Sequence, residues 1–147
     1  TGSGVSAVWL HAASMVTAVT AESNIERAKS GALKLMRENP QINVLVGFNE
    51  WLTLGVGEAI RELGAAQRVR AVGFDTNVVS VSMLETGEMD ALIVQNPFAI
   101  GYLGVKNAAT LINGEQLEER ELYTSVTTVD KDNMFSDDVQ KILFRFT

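Results

Sequence analysis

The stretch INVLVGFNEWLTLGVGEAIRELGAAQRVRAVGFDTN, residues 42–77, holds two apolar runs separated by an amphipathic segment. Ile42 to Phe48 is nearly continuous in apolar residues, which is typical of a strand covered on both faces. The following segment repeats apolar residues at helical spacing as far as Gly64, which is well placed just beyond a helix end. Val69 to Phe74 is apolar again and predicts the next strand. The stretch therefore predicts one strand, helix, strand unit of a parallel sheet.

The same alternation continues on both sides of this stretch. Before it we predict a strand over 15–20 and a helix over 24–37, which a Ser23/Glu26 capping box opens. After it we predict a short helix over 78–85, a strand over 90–94, a helix over 97–112 and a strand over 122–129. A last helix over 137–146 should turn Val139, Ile142 and Leu143 inward. This order predicts an α/β fold with a doubly wound, mostly parallel sheet flanked by helices. Residues 1–14 fit an additional strand, a linker or a remnant equally well.

Composition and charge exclude several classes of protein. The chain has 147 residues, 46% of them hydrophobic, which suits one soluble domain, and its net charge of −6 argues against a nucleic-acid-binding module. Absence of cysteine excludes disulfides and thiolate nucleophiles, and the single histidine, His11, excludes multi-histidine metal sites. The apolar run from Val5 to Val19 is too short and too polar for a membrane span. We expect no metal and no cofactor.

Polar side chains follow three of the predicted strands. Asn49 and Glu50 follow the first, Asp75 follows the second and Gln95 follows the third. The carboxyl ends of parallel strands meet at one edge of a sheet, so these groups can converge on adjacent hydroxyls of a polyol. Taken singly, each is also an ordinary residue for a helix start, and Glu50 is simply explained as a charge favoured by the helix dipole. Trp51 is better explained as a core residue of its helix than as a sugar-stacking platform.

Other chemistries lack their motifs. The Gly55-Val56-Gly57 run lies within a predicted helix and lacks the third glycine of a dinucleotide-binding loop, so small-residue packing explains it better. A Ser-His-Asp triad has no nucleophile elbow here. Glu50 and Asp75 leave acid–base chemistry open in principle, but an enzyme is the least supported hypothesis. A receiver-like or flavodoxin-like domain remains an alternative, although a receiver would need a second acid near Glu22 and a lysine after Val94.

Four segments resemble a known family in order and spacing. They are GFNEWLTLGVGEAIRELG, VRAVGFDTN, MDALIVQNPFAIGYLGV and TTVDKDN, and they resemble the C-terminal half of ribose-binding-protein-like type I periplasmic binding proteins. The resemblance covers about 15–133 and implies that 15–147 is a non-enzymatic lobe that binds a monosaccharide. It places Asn49, Asp75 and Gln95 at positions that hydrogen-bond sugar hydroxyls. The loop where the family often carries an aromatic contact holds Ser23 and Asn24 here, which are weaker ligand-binding candidates.

The resemblance also implies a protein of two lobes, of which this sequence holds the second without its opening strand and helix. Residues 97–128 would then belong with the first lobe. The implied function is sugar binding with hinge closure, for an ABC transporter permease or a membrane sensor, in the periplasm or another extracytoplasmic place. The alternative is the effector domain of a LacI-type transcription regulator, which would be cytoplasmic. We expect negligible sugar affinity from this chain alone. The chain is then either a fragment of a longer one, or it relies on self-association or domain swapping to cover an exposed sheet edge and an apolar helix face.

Overall fold

The computed structural model describes residues 7–12, 15–119 and 121–144. In chain order the elements are β1 (Ala7–Ala12), β2 (Met15–Thr20), α1 (Ile25–Glu38), β3 (Val44–Gly47), α2 (Glu50–Glu62), β4 (Arg70–Phe74), α3 (Val78–Thr86), β5 (Ala91–Val94), α4 (Pro97–Ile112), β6 (Thr127–Asp130) and α5 (Asp137–Leu143). The predicted α/β fold class is confirmed. Within residues 1–14, the structure shows 7–12 as an additional strand; the remaining eight lie outside the described residues.

The six strands form one sheet in the order β2-β1-β3-β4-β5-β6. The central strands β3, β4 and β5 are parallel, with Leu45 opposite Ala71 and Gly73 opposite Leu92. Strand β1 runs antiparallel to β2 and β3, and β6 runs antiparallel to β5. The parallel part of the sheet is therefore the central trio, and its three carboxyl ends share one edge.

Helix α2 lies at the centre of the core. Its residues Leu52, Val56 and Ile60 are fully buried. Gly55 and Gly57 let it approach its neighbours, because a Cβ at Gly55 would lie 2.4 Å from the Ala28 Cβ on α1 and a Cβ at Gly57 would lie 2.3 Å from the Met83 sulfur on α3. The packing interpretation of this glycine pair is confirmed.

The two faces of the sheet differ in burial. Leu45, Ala71 and Leu92 are buried on the face that carries α2, whereas the alternate residues Val46 and Val72 are half-buried. The prediction that the strand over 42–48 is covered on both faces is therefore wrong in this respect. Helices α1, α2 and α3 form one packed layer, so the face opposite α2 keeps partial access to solvent.

Helix ends follow the predicted chemistry with one correction. Gly87 ends α3 with a left-handed φ of 88°, and Pro97 opens α4 in its first turn. The cap of α1 is Asn24, whose side chain accepts from the Arg27 N–H, and the predicted Ser23/Glu26 capping box is wrong. Ser23 has a φ of 50°, so the chain turns in a left-handed conformation there and places the capping role one residue later.

Three further predictions need correction. The predicted strand over 122–129 is reduced to Thr127–Asp130, because only these residues pair with β5. Trp51 is 47% exposed, so it is not a core residue. In α5, Val139 is buried and Leu143 is half-buried as predicted, but Ile142 is exposed.

Helix α4 has the predicted bounds but buries none of its side chains. The assignment of residues 97–128 to a first lobe stays a prediction. Among the described residues, no helix combines the length and apolar character needed to cross a membrane.

Candidate functional site

The candidate site lies at the carboxyl ends of β3, β4 and β5, where each strand leads into the helix that follows. Three asparagines cap these helices: Asn49 caps α2, Asn77 caps α3 and Asn96 caps α4. Each side chain accepts a hydrogen bond from a backbone N–H of its own helix. The caps hold the three helix starts close to the sheet edge, where the predicted ligand-binding residues lie.

Asp75 and Gln95 contact each other directly. The Gln95 side-chain amide donates to Asp75 Oδ1 at 3.0 Å, so the ends of β4 and β5 present a joined carboxylate and amide. Asp75 has a φ of 61°, a left-handed conformation that aspartate tolerates better than most residues, and its N–H donates to the Ile93 carbonyl at 3.0 Å. This backbone bond fixes the turn that carries the carboxylate.

Asn49 is hydrogen-bonded to a different side chain. Its amide nitrogen donates to Ser23 Oγ at 3.0 Å, while its Oδ1 accepts from the Leu52 N–H at 2.9 Å. The structure therefore joins two of the sequence candidates, Asn49 and Ser23, across the ends of β2 and β3. Asn24 serves as the cap of α1. The predicted residues thus form two pairs, Asp75 with Gln95 and Asn49 with Ser23.

Thr53 fixes the relation between the β3 and β4 ends, and the sequence argument missed it. Its side chain is fully buried, its hydroxyl accepts from the Phe74 N–H at 2.9 Å, and it lies 2.9 Å from the Asn49 carbonyl oxygen. Glycine is required on the strand beside it, because a Cβ at Gly73 would lie 2.3 Å from Thr53 Cγ2. The available signal was a Gly-Phe pair repeated at the ends of β3 and β4, because a Cβ at Gly47 or at Gly73 would clash with Thr53.

Glu50 also belongs to this edge. Its carboxylate accepts from the Asn77 side-chain amide at 2.6 Å, which joins the starts of α2 and α3. The helix dipole was the simplest sequence explanation of Glu50. The bond to Asn77 was not predicted, because it depends on two helix starts that lie 27 residues apart in the chain. Glu50 and Asp75 therefore place two carboxylates at the same edge.

A cavity of about 490 Å³ opens at these strand ends. Its polar lining includes Glu50, Asp75 and Gln95, and its apolar wall comes from the first turn of α4 and the end of α5. The full lining is Glu50, Asp75, Thr76, Val94, Gln95, Asn96, Pro97, Phe98, Ile100, Ser125, Thr127, Ile142 and Leu143. The wall from α5 was not predicted, because nothing local in residues 137–143 places that helix beside β5.

The charge of the lining restricts the ligand. Among the described lining residues the ionisable groups are carboxylates, Glu50 and Asp75, and lysine and arginine are absent. An anionic ligand would meet repulsion here, whereas the hydroxyls of a neutral polyol can donate to the carboxylates and exchange bonds with Gln95. Trp51 is not in the lining, so the cavity offers no support for a sugar-stacking role of this residue. No cluster of three or more metal-binding side chains occurs in the described part of the chain.

A perturbed carboxylate lies outside the cavity, at the junction of α2 with the end of α3. Burial on its own would raise the pKa of Glu88, but hydrogen bonds from Arg61 and Thr86 outweigh burial and hold that pKa below its ordinary value. The Arg61 Nε to Glu88 Oε1 distance is 2.7 Å. This pair joins the last turn of α2 to the residues just after α3 and stabilises the scaffold behind the site.

Comparison with known proteins places this geometry in a family. The sequence model of the family described as "periplasmic binding protein domain" matches residues 4–116, which is most of the chain. The chain belongs to this periplasmic binding protein family. Membership confirms the resemblance found in the sequence, and the relatives described below favour the binding-protein hypothesis over the regulator alternative.

Relatives within the family carry sugar-binding names. The chain is 32% identical over 80 residues to the D-allose-binding periplasmic protein of Escherichia coli (strain K12), an alignment covering 54% of this chain and 26% of that protein. It is 31% identical over 86 residues to the ribose import binding protein of Haemophilus influenzae, covering 58% of this chain and 29% of that protein. The chain therefore matches less than a third of the length of these two relatives.

Solved structures show the same fold. A carbohydrate transporter solute-binding protein from Agrobacterium radiobacter in complex with D-arabinose superposes with a TM-score of 0.75 at 28% identity, covering 82% of this chain and 40% of that one. A solute-binding protein of an ABC transporter from Agrobacterium vitis, bound to α-D-tagatopyranose, superposes with a TM-score of 0.79 at 25% identity. This superposition covers 85% of this chain and 42% of the other. Both alignments cover about two fifths of the larger protein.

Proposed function

We propose that the cavity at the carboxyl ends of β3, β4 and β5 is half of a binding site for a neutral monosaccharide. The observation that carries the proposal is the Asp75–Gln95 pair, a carboxylate and an amide held together on the cavity lining by a 3.0 Å hydrogen bond. This pair can accept and donate to neighbouring hydroxyls of one sugar ring. The names of the relatives support the same class of ligand.

In this proposal Asn49, which is not among the cavity-lining residues, contributes from the end of β3 beside Ser23 and extends the row of polar groups across three strand ends. Thr53 positions this row, because it bonds to the backbone at both Asn49 and Phe74. A second lobe would close over the row and supply the other contacts. The low share of each relative that this chain covers supports this division of the site.

We further propose that the intact protein delivers the sugar to the permease of an ABC transporter in the periplasm or an equivalent extracytoplasmic place. The relatives with transport and periplasmic names support this role. The proposal involves sugar binding without turnover. The carboxylates Glu50 and Asp75 then serve as hydrogen-bond acceptors rather than as an acid–base pair.

A sugar titration of the isolated chain followed by ¹H–¹⁵N NMR tests the half-site. D-allose, D-ribose or D-arabinose should shift the amides near Asp75 and Gln95 with a Kd above about 1 mM, weaker than about −4.1 kcal/mol. Ribose 5-phosphate should produce no such shifts, because the lining carboxylates repel its charge. Asp75→Ala should abolish the shifts, and Asp132→Ala, an exposed aspartate elsewhere, should preserve them.

Two results would contradict the proposal. Shifts that persist unchanged in Asp75→Ala would exclude this carboxylate from the site. Micromolar affinity in the isolated chain would show that the described cavity is a whole site rather than half of one.

A further inference from the structure

Asp75, the carboxylate of the proposed sugar site, has a backbone conformation that its neighbours must hold. Its φ of 61° is one of three left-handed values among the described non-glycine residues, and the other two adjoin each other in the loop after β2. A left-handed residue other than glycine is unfavourable by itself and persists where surrounding contacts over-determine it. The contacts around the loop 75–77 therefore keep the carboxylate on the cavity lining.

Two of these contacts tie the start of the loop to β5 and the residue after it. The Asp75 N–H donates to the Ile93 carbonyl, and the Gln95 side chain donates to Asp75 Oδ1, each at 3.0 Å. Both bonds involve Asp75 itself. The far end of the loop, where the chain enters α3, is fixed by other residues.

Asn77 fixes the far end of the loop. Its Oδ1 accepts from the Ser80 N–H at 2.9 Å and its own N–H donates to Ser80 Oγ at 2.9 Å, so the loop is joined to α3 at a buried serine. Because Oδ1 faces the helix, the amide nitrogen faces away from it, and there it donates to Glu50 Oε1 at 2.6 Å. Asn77 is thereby tied to both α3 and α2.

Glu50 receives this bond at the start of α2, directly after the Asn49 cap. Among the described residues, the Asn77 amide is the single hydrogen-bond donor to its carboxylate, and no lysine or arginine pairs with it. The bond joins the loop that carries Asp75 to the helix start that carries Asn49. Glu50 therefore links the ends of β3 and β4 from the helix side.

We propose that Glu50 is a positioning residue of the sugar site. Through Asn77 it holds the loop 75–77 against the start of α2 and so keeps the Asp75 carboxylate beside Gln95. This inference rests on the proposed sugar-binding function, and it assigns Glu50 an action on Asp75 rather than on the sugar, although both carboxylates line the cavity. The fixed orientation of Asn77 favours positioning over contact, because its cap bond leaves its amide no other described acceptor.

Two substitutions of Glu50 separate positioning from contact. Glu50→Gln keeps an oxygen that can accept from Asn77, whereas Glu50→Ala removes it. In titrations of residues 1–147 with D-allose followed by ¹H–¹⁵N NMR, Glu50→Gln should stay within about threefold of the natural Kd and Glu50→Ala should raise the Kd at least about tenfold. Glu58→Ala is the matched control, because this glutamate of α2 pairs with Lys29 away from the cavity, and it should leave the Kd unchanged.

Asn77→Ser tests the same link from its other end. Serine is a good helix cap, so it can still accept from the Ser80 N–H, but it lacks the amide nitrogen that reaches Glu50. We expect a loss of affinity equal to that of Glu50→Ala. The double variant should lose no more than either single variant, because both substitutions break one bond.

Hydrogen exchange of the sugar-free chain measures the loop itself. The Asp75 N–H should exchange faster in Glu50→Ala and in Asn77→Ser than in the natural chain, because its bond to the Ile93 carbonyl opens more often. The Ala71 N–H, which donates to Asp90 Oδ2 elsewhere on β4, should exchange at the natural rate and so show that the fold is intact.

Four outcomes would overturn the positioning role and leave the sugar site in place. They are natural affinity in Glu50→Ala; equal losses in Glu50→Gln and Glu50→Ala, which would make the carboxylate a direct sugar contact; additive losses in the double variant; and an unchanged exchange rate at Asp75. Absence of sugar-induced shifts in the natural chain, or shifts that persist in Asp75→Ala, would instead overturn the proposed function on which the role rests.

Discussion

Helices α2 and α4 resemble each other in sequence but differ in environment. Both are rich in apolar residues and contain two glycines, yet α2 buries eight of its 13 residues and α4 buries none of its 16. A Cβ at Gly55 would meet atoms of α1, whereas Gly101 and Gly104 have open space around them. Apolar content therefore shows that a helix needs a neighbour, but it does not show whether the described part of the chain supplies that neighbour.

The sheet topology explains the difference. Helix α2 connects the parallel neighbours β3 and β4, and a connection of this kind must return across the face of the sheet. Helix α4 lies between β5 and β6, which are antiparallel neighbours, so the connection is free to leave the sheet. Residues 113–126 then return to β6 without forming a helix or strand among the described positions.

The largest expected effect comes from truncating one leucine in each helix. Leu52→Ala in α2 should lower the free energy of unfolding by about 2–5 kcal/mol, because Leu52 is fully buried. Leu111→Ala in α4 should change it by less than about 0.5 kcal/mol, because Leu111 is 57% exposed. Urea denaturation of both variants measures the contrast, and equal losses would mean that α4 is packed against the described core.

Alanine at a glycine in each helix should change stability in opposite directions. Gly55→Ala should destabilise the fold by about 1–3 kcal/mol, since the new Cβ would lie 2.7 Å from the Ile25 carbonyl oxygen and the Lys29 nitrogen, which are backbone atoms. Gly104→Ala should stabilise it by about 0.5–1 kcal/mol, because the Cβ meets nothing and alanine favours the helix. Thermal unfolding at low concentration distinguishes them, and a shared sign would contradict the packing described.

The smallest effect concerns the last turn of α2, where Arg61 pairs with Glu88. The pKa of Glu88 is lowered in the folded state, so the unfolded chain binds more protons at acidic pH. The ionised carboxylate therefore stabilises the fold above about pH 4.3, the ordinary Glu value. This stabilisation is lost as pH falls through the folded pKa. Glu88→Gln should cost at most about 1 kcal/mol at neutral pH, because Arg61 is half-exposed.

The same variant should weaken the acid dependence of stability. Urea midpoints measured at neutral and acidic pH should differ less in Glu88→Gln than in the natural chain. Glu85→Gln, on the exposed side of α3, is the control and should retain the full difference. An unchanged acid dependence in Glu88→Gln would remove Glu88 from the explanation.

Local signals predicted most helix and strand positions. The apolar run before Asn49, the Gly87 terminator and the Pro97 start each act within a few residues, and the structure places the elements accordingly. The strand prediction was wrong for residues 122–126, because their alternating pattern has no partner strand and Tyr123 is 90% exposed. A pattern of side chains can predict a strand, but only a neighbour can complete its hydrogen bonds.

The sequence predicted only the part of the candidate site that follows from the order of the strands. Asp75 and Gln95 could be paired from the sequence, because parallel strands bring their carboxyl ends together, and their 3.0 Å bond agrees with that expectation. Thr53 and Glu50 acquire their roles from contacts across 21 and 27 residues. Such contacts depend on how the helices pack, and local patterns in a single sequence do not reveal that packing.

Hydrogen exchange of the backbone amides in the isolated chain tests the contrast between the two helices most directly. We predict that α2 exchanges slowly, because the described core covers eight of its residues, and that α4 exchanges quickly, because none of its side chains is buried. Equally slow exchange of the two helices would contradict the conclusion that α4 lacks cover in the described part of the chain.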